Sequence, residues 1–297
     1  MWQEVEWTAQ DGLTLRGRSY GPPNCRHPHA IVCLPGLTRN SGDFHDLAIA
    51  CADAGYRAIT MDSRGRGRSD YAEDWETYSI LQETQDVLAG LTALGIEKAT
   101  LIGTSRGGLI SMLIGVLQPA VLAGVLLNDI GPKIELNGLL AIKTYLDNRS
   151  TPENWSQAVD MVKAAAALSF PNLTEEEWEK FTQATFWEIS PDTLVADYDP
   201  NLLKPLAELS ETTEIPELWP QFEALAHIPV LVMRGALSTL LSDETVNRMR
   251  TVHPDCDSVT IENQGHAPLF TSEATLKPAM EFISSTVLSP VQSNSHT

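Results

Sequence analysis

The sequence predicts an α/β protein: a mostly parallel central sheet with helices on both faces, interrupted by one inserted helical segment. Three observations predict it. Short apolar runs recur, each ended by glycine or polar residues, and segments with helical spacing lie between them. That alternation stops at about residue 132 and resumes at about residue 227. At 297 residues with 43% hydrophobic content, the chain can bury one large core or two modest ones.

Residues 3–20 alternate in polarity around Asp11-Gly12, a hairpin signal. HAIVCLPG (29–36), YRAITMDSRG (56–65), KATLIGTS (98–105) and VLAGVLLNDIG (121–131) then read as buried parallel strands. Between them DFHDLAIACADAG (43–55), ETYSILQETQDVLAGLTALG (76–95) and GGLISMLIGVLQP (107–119) have helical spacing and close on Gly or Pro. From 132 to 226 the chain is mostly helix-like and rich in aromatics such as Trp155, Phe170, Trp178 and Phe181. IPVLVMRG (228–235), SDETVNRMRTVHP (242–254), DSVTIENQGHAP (257–268) and LKPAMEFISSTVL (276–288) restore the strand–helix rhythm. The expected division is a core of 1–131 and 227–290, a helical cap of 132–226 and a frayed polar tail of 291–297.

Composition excludes several partners. A formal net charge of −19, from 39 acidic against 20 basic residues, speaks against nucleic acid and against an anionic membrane surface. The N-terminus has no basic start followed by an apolar stretch, and no run approaches the ~20 apolar residues of a membrane span, so a cytoplasmic location is expected. Cys25, Cys33, Cys51 and Cys256 are widely spaced and are expected to be reduced thiols, with no metal site and no cofactor implied.

The chemistry gathers at GTSRG (103–107), which matches G-x-S-x-G, a sharp strand-to-helix turn that exposes a serine hydroxyl. Side chains at its glycines would collide with the neighbouring strand and helix. RGRGRSD (64–70) does not complete a dinucleotide-binding pattern, because Asp70 stands where the third glycine belongs, and GTSRGG lacks the lysine of a P-loop. A serine hydroxyl needs a base, and seven histidines are available. His266 is the candidate, in a glycine-marked loop after the last strand, at the strand end where ligand sites collect. His27, His29, His45, His227, His253 and His296 suit structural or surface roles. Acyl transfer also needs oxyanion donors: the backbone N–H of Arg106, after the nucleophile, and that of Leu37 in the loop CLPGLTRNSGDF.

With LPGLTRN, MDSRGRGRSD, GTSRGG, LNDIGP, RGALS and GHAP in this order, the chain resembles the α/β-hydrolase fold superfamily, in its esterase-like branch with a helical cap. The resemblance covers nearly the whole chain and is specific for the fold, less so for a reaction. It implies an acid two residues beyond RGA-L, but Thr239 occupies that position. Asp129, at the end of the preceding core strand, is the favoured substitute, since some members supply the acid there. Asp243 is the fallback, in what reads as the first turn of a helix, and absence of any acid is the third alternative. Asp62 is expected to accept loop N–H groups, and the Arg106 side chain to form a structural salt bridge rather than a substrate anchor.

The expected function is a cofactor-independent serine hydrolase of small or medium carboxylic esters, with Ser105 as nucleophile and His266 as base. A lactonase or C–C bond hydrolase would use the same residues. A catalytically silent binding protein is the alternative from another class, supported by Thr239 alone.

Overall fold

The computed structural model describes residues 1–288 except 23, 24, 26, 28, 148–150 and 192; the expected frayed tail, 291–297, lies outside the described residues. Strands β1 (Trp2–Thr8) and β2 (Thr14–Tyr20) form the expected hairpin, turning at Gly12 with φ 92°. There follow β3 (Ala30–Leu34), α1 (His45–Asp53), β4 (Ala58–Asp62), α2 (Ile80–Ala93), β5 (Ala99–Thr104), α3 (Arg106–Leu117) and β6 (Leu122–Asn128). Helices α4 (Leu136–Asp147), α5 (Trp155–Ala166) and α6 (Glu175–Gln183) come next, then strands β7 (Phe186–Ser190) and β8 (Thr193–Ala196). Two short helices, α7 (Lys204–Ala207) and α8 (Trp219–Glu223), lead back to β9 (Val230–Gly235), α9 (Asp243–Val252), β10 (Cys256–Ile261) and α10 (Glu273–Leu288).

The eight-stranded sheet has the order β1-β2-β4-β3-β5-β6-β9-β10. All its neighbours from β4 to β10 pair in parallel, and β2 alone runs against them through its pairings with β1 and β4. The central strands read as unbroken apolar runs because both faces are covered. Val32, Leu101, Val125 and Val232 enter a layer with Val87 of α2, Ile110 of α3 and Met249 of α9. Their neighbours Ile31, Ile102, Leu126 and Leu231 enter the opposite layer with Leu47 of α1 and Ile283 of α10. This alternation is the strand's two-residue period expressed as two cores.

The segment between β6 and β9 has its own apolar cluster of Ala158, Val162, Phe170, Trp178, Phe186 and Leu194. One part differs from the helical expectation: β7 and β8 pair as an antiparallel ribbon. Phe186 and Leu194 plant the ribbon in that cluster, while the rest of β7, Trp187 and Ile189 included, is exposed. Trp219 and Phe222 of α8 join the main core layer against α3 instead.

Candidate active site

Ser105 stands between β5 and α3 with φ 50° and ψ −113°, a left-handed conformation that a non-glycine residue adopts only where its surroundings impose it. The glycines around it are dictated by contact. A Cβ on Gly103 would lie 2.5 Å from the Gly107 carbonyl oxygen, and one on Gly107 would lie 2.1 Å from that of Leu34 in β3. The turn can therefore close only with bare backbone at both positions, and closing it lifts the hydroxyl above the strand ends.

His266 sits in the loop after β10, and that loop is pinned from three sides. Leu237 N–H donates to the Gln264 carbonyl, Leu269 N–H donates to Gln264 Oε1 at 2.7 Å, and Asn128 Nδ2 donates to the Pro268 carbonyl at 2.9 Å. So held, His266 Nε2 is 2.9 Å from Ser105 Oγ and Nδ1 is 2.8 Å from Asp129 Oδ2. A carboxylate only accepts, so Nδ1 carries the ring proton and Nε2 is left as the acceptor for the serine hydroxyl.

Asp129 follows β6, also in a left-handed conformation (φ 55°), and is fully buried. Its N–H donates to the Met233 carbonyl, while Oδ1 accepts from Gly235 N–H at 2.8 Å and Oδ2 from Ser238 Oγ at 2.5 Å. A buried carboxylate surrounded by three donors is a fixed hydrogen-bond acceptor aimed at one imidazole nitrogen. Ser238 did not emerge from the sequence as a site residue. Its signal was its place in RGALS, one residue before the threonine that replaces the expected acid.

The fallback acid, Asp243, lies elsewhere in this geometry. Asp243 pairs with Arg234 at 3.2 Å, is largely exposed, and lies in the first turn of α9 behind the Ser242 cap. Its position there favours the helix dipole and leaves His266 to Asp129. Thr239 is exposed and lines the cavity.

Arg106 opens α3, so its N–H belongs to the unpaired first turn, and Leu37 N–H has no acceptor among the described residues. The Arg106 side chain is engaged with Glu83, as a structural salt bridge requires: Nε to Oε2 and Nη2 to Oε1, both at 2.9 Å. Asp62 accepts from the N–H groups of Ser41 (2.6 Å) and Arg68 (3.3 Å), and burial pushes its carboxyl up despite them.

Ser105 and His266 open into a cavity of about 310 Å³, walled by α4 (Ile142, Tyr145), α5 (Ala165, Ala166) and the aromatic rings of Phe170 and Phe181. Arg39 is a charged wall residue. Its Nε donates to Asp43 Oδ2 at 2.8 Å and its guanidinium lies 4.3 Å from the Phe181 ring centre. Burial opposes its charge, but the Asp43 carboxylate, together with Tyr145 and Asp197, outweighs it and raises its pKa. Among the described residues no helix is long and apolar enough to cross a membrane.

The model of the alpha/beta hydrolase family matches residues 31–277. The chain is 35% identical to the 3-hydroxybutyrate-oligomer hydrolase of Cupriavidus necator, over 86% of this chain and 88% of that one. It is 26% identical to 3-oxoadipate enol-lactonase 1 of Acinetobacter baylyi, over 87% and 88%. The crystal structure of an alpha/beta hydrolase from Novosphingobium aromaticivorans superposes with a TM-score of 0.86 at 34% identity, covering 95% of this chain and 98% of that one. With the parallel sheet, the turn at Ser105 and the histidine loop already in place, these matches make the chain a member of the alpha/beta hydrolase family and a hydrolase.

Proposed function

We propose that the chain is a serine hydrolase that cleaves small or medium carboxylic esters through an acyl-enzyme on Ser105. The observation that carries this reading is the unbroken hydrogen-bonded line from Ser105 through His266 to Asp129. Ser105 Oγ attacks the ester carbonyl carbon and its proton passes to His266 Nε2. Asp129 stabilises the imidazolium that results, and the N–H groups of Leu37 and Arg106 bind the oxyanion. Collapse breaks the C–O bond, the alcohol leaves with the proton from Nε2, and water repeats the sequence to release the acid. A mostly apolar cavity of about 310 Å³ suits a short ester better than a polymer. The 35% identical oligomer hydrolase supports short oligoesters of hydroxy acids as the substrate class.

A second reading, ring opening of a lactone by the same residues, is favoured by the enol-lactonase relative. Two measurements separate these from a silent binding protein. A fluorophosphonate should label Ser105 in wild type and not in Ser105→Ala. Turnover on a hydroxybutyrate dimer and on a γ-lactone then ranks the two reactions. Absence of labelling in folded wild-type protein overturns the proposal.

A further inference from the structure

We infer that Arg66 and Glu83 are positioning residues for the oxyanion site, clamping the Leu37 peptide and the start of α3 into one rigid unit. The inference rests on the proposed acyl transfer and concerns the RGRGRSD loop, for which that reaction has no direct use.

The loop turns twice through left-handed glycines, Gly65 (φ 73°) and Gly67 (φ 56°). A Cβ on Gly65 would lie 2.7 Å from the Tyr78 ring, and one on Gly67 would lie 2.5 Å from the Asp62 carboxylate. Both positions therefore need glycine, and the residue between them, Arg66, is driven inward to 0% exposure. Its Nε donates to the Leu37 carbonyl at 2.7 Å, and its Nη1 donates to Glu83 Oε1 at 2.9 Å and the Arg64 carbonyl at 2.8 Å. Glu83 of α2, 1% exposed, takes the Arg106 guanidinium on both oxygens, and Arg106 Nη2 donates also to the Tyr78 carbonyl at 2.7 Å.

The two residues that would donate to the oxyanion are thus joined by one continuous chain: Leu37 to Arg66, Arg66 to Glu83, Glu83 to Arg106. The Leu37 carbonyl belongs to the peptide after its N–H, so anchoring it stops the loop from swinging at the donating residue. Holding the Arg106 side chain likewise fixes the first turn of α3. Apolar packing could hold this loop without the cost of burying charge. What planar guanidinium–carboxylate pairs add is direction, because their forks match only at set angles. Glu83 stays ionised in this role: burial alone would raise its pKa, but Arg106 and Arg66 hold it down at about 2.

Arg64 of the same loop provides the contrast. It is equally buried, and its Nε and Nη2 engage Asp86 at 2.6 and 2.7 Å while Nη1 engages Asp11 at 2.7 Å, so its side-chain hydrogen bonds go to neither Leu37 nor Arg106. The test compares Glu83→Gln, Arg106→Gln and Asp86→Asn on a p-nitrophenyl ester. A trifluoromethyl ketone is the second probe, since its adduct on Ser105 carries the oxyanion. Because displacing donors by about 1 Å costs on the order of 100-fold, Glu83→Gln should lower kcat roughly 10- to 100-fold with little change in KM. The ketone should weaken by the same factor as kcat/KM. Asp86→Asn should lower Tm and leave kcat unchanged.

If Glu83→Gln does not fold, Arg106→Gln, which keeps the backbone donor and alters a side chain 17% exposed, gives the same readings. Wild-type kcat in folded variants, a ketone affinity that does not follow kcat/KM, or an equal kcat loss in Asp86→Asn each overturns the inference. An active wild type with Ser105 labelled and unaffected variants rejects this inference alone. A wild type that is neither labelled nor active rejects the serine-hydrolase reading with it.

Discussion

Asp129→Asn changes one atom of the site and isolates what the carboxylate does. The amide oxygen can keep the bond from Gly235 N–H, so its NH₂ group takes the place of Oδ2, which faces His266 Nδ1 and Ser238 Oγ. Ser238 can turn its hydroxyl to accept. The imidazole can meet the new donor only by placing its proton on Nε2, which then points a donor at Ser105 Oγ, 2.9 Å away, and can no longer take the serine proton. A wrong tautomer of this kind costs on the order of 10⁴ in kcat, or about 5.5 kcal/mol of transition-state stabilisation. Folding should change far less, by roughly 1 kcal/mol, because three hydrogen bonds can still form around the amide and a buried charge has gone. The assay is kcat on a p-nitrophenyl ester beside a thermal melt. An Asp129→Asn protein that melts like wild type and turns over within about threefold of it would refute the assignment, as would an equal loss in Asp243→Asn.

Three further outcomes follow from the same contacts. Thr239→Asp in the wild-type background should leave kcat flat, since Asp129 already occupies His266 Nδ1; a rise measured on the same ester would mean the imidazole is poorly held. Gly107→Ala should yield little folded protein, or unfold more easily by about 3 kcal/mol or more on a urea titration, because the added methyl meets the Leu34 carbonyl oxygen at 2.1 Å. The third outcome concerns pH. Burial, with the nearby Asp62, raises Asp197 from 3.8 to about 6, so the folded state holds this proton more tightly than the unfolded chain. Stability from this group is therefore full below about pH 4 and is lost as pH rises to about 6, by about 3 kcal/mol in all. Asp197→Asn, which keeps an acceptor for Asn40 Nδ2, should melt higher than wild type at pH 8 and alike at pH 4. A constant difference across that range would contradict the assignment.

Most of the fold was legible because its determinants are local. A strand buried on both faces must be a continuous apolar run, and β3, β4, β5, β6 and β9 are such runs. The turn at Ser105 was legible for the same reason, since its two glycines are required by contacts within a few residues and with the adjoining strand. The β7–β8 ribbon was not. Its strands are short and mostly exposed, and only the position of the cluster around Phe170 and Trp178 decides which of their residues are buried.

The choice of acid was open for a deeper reason. Asp129 directly follows one core strand and Asp243 lies at the start of the helix after another, and chain order does not say which approaches a loop 137 residues from the first of them. The pairing of β6 with β9, and of β9 with β10, brings Asp129, Ser238 and the histidine loop to one edge. The RGRG loop is the same case: its glycines announce a tight backbone, but that its arginine reaches Leu37 and Glu83 is a fact of packing. The sequence by itself determined the fold class and singled out the proposed nucleophile and base, because steric closure and burial period act over short stretches of chain. Which carboxylate meets His266, and which charged side chains meet Leu37 and Arg106, only the tertiary structure decided, because hydrogen bonds join whatever atoms the sheet order makes neighbours.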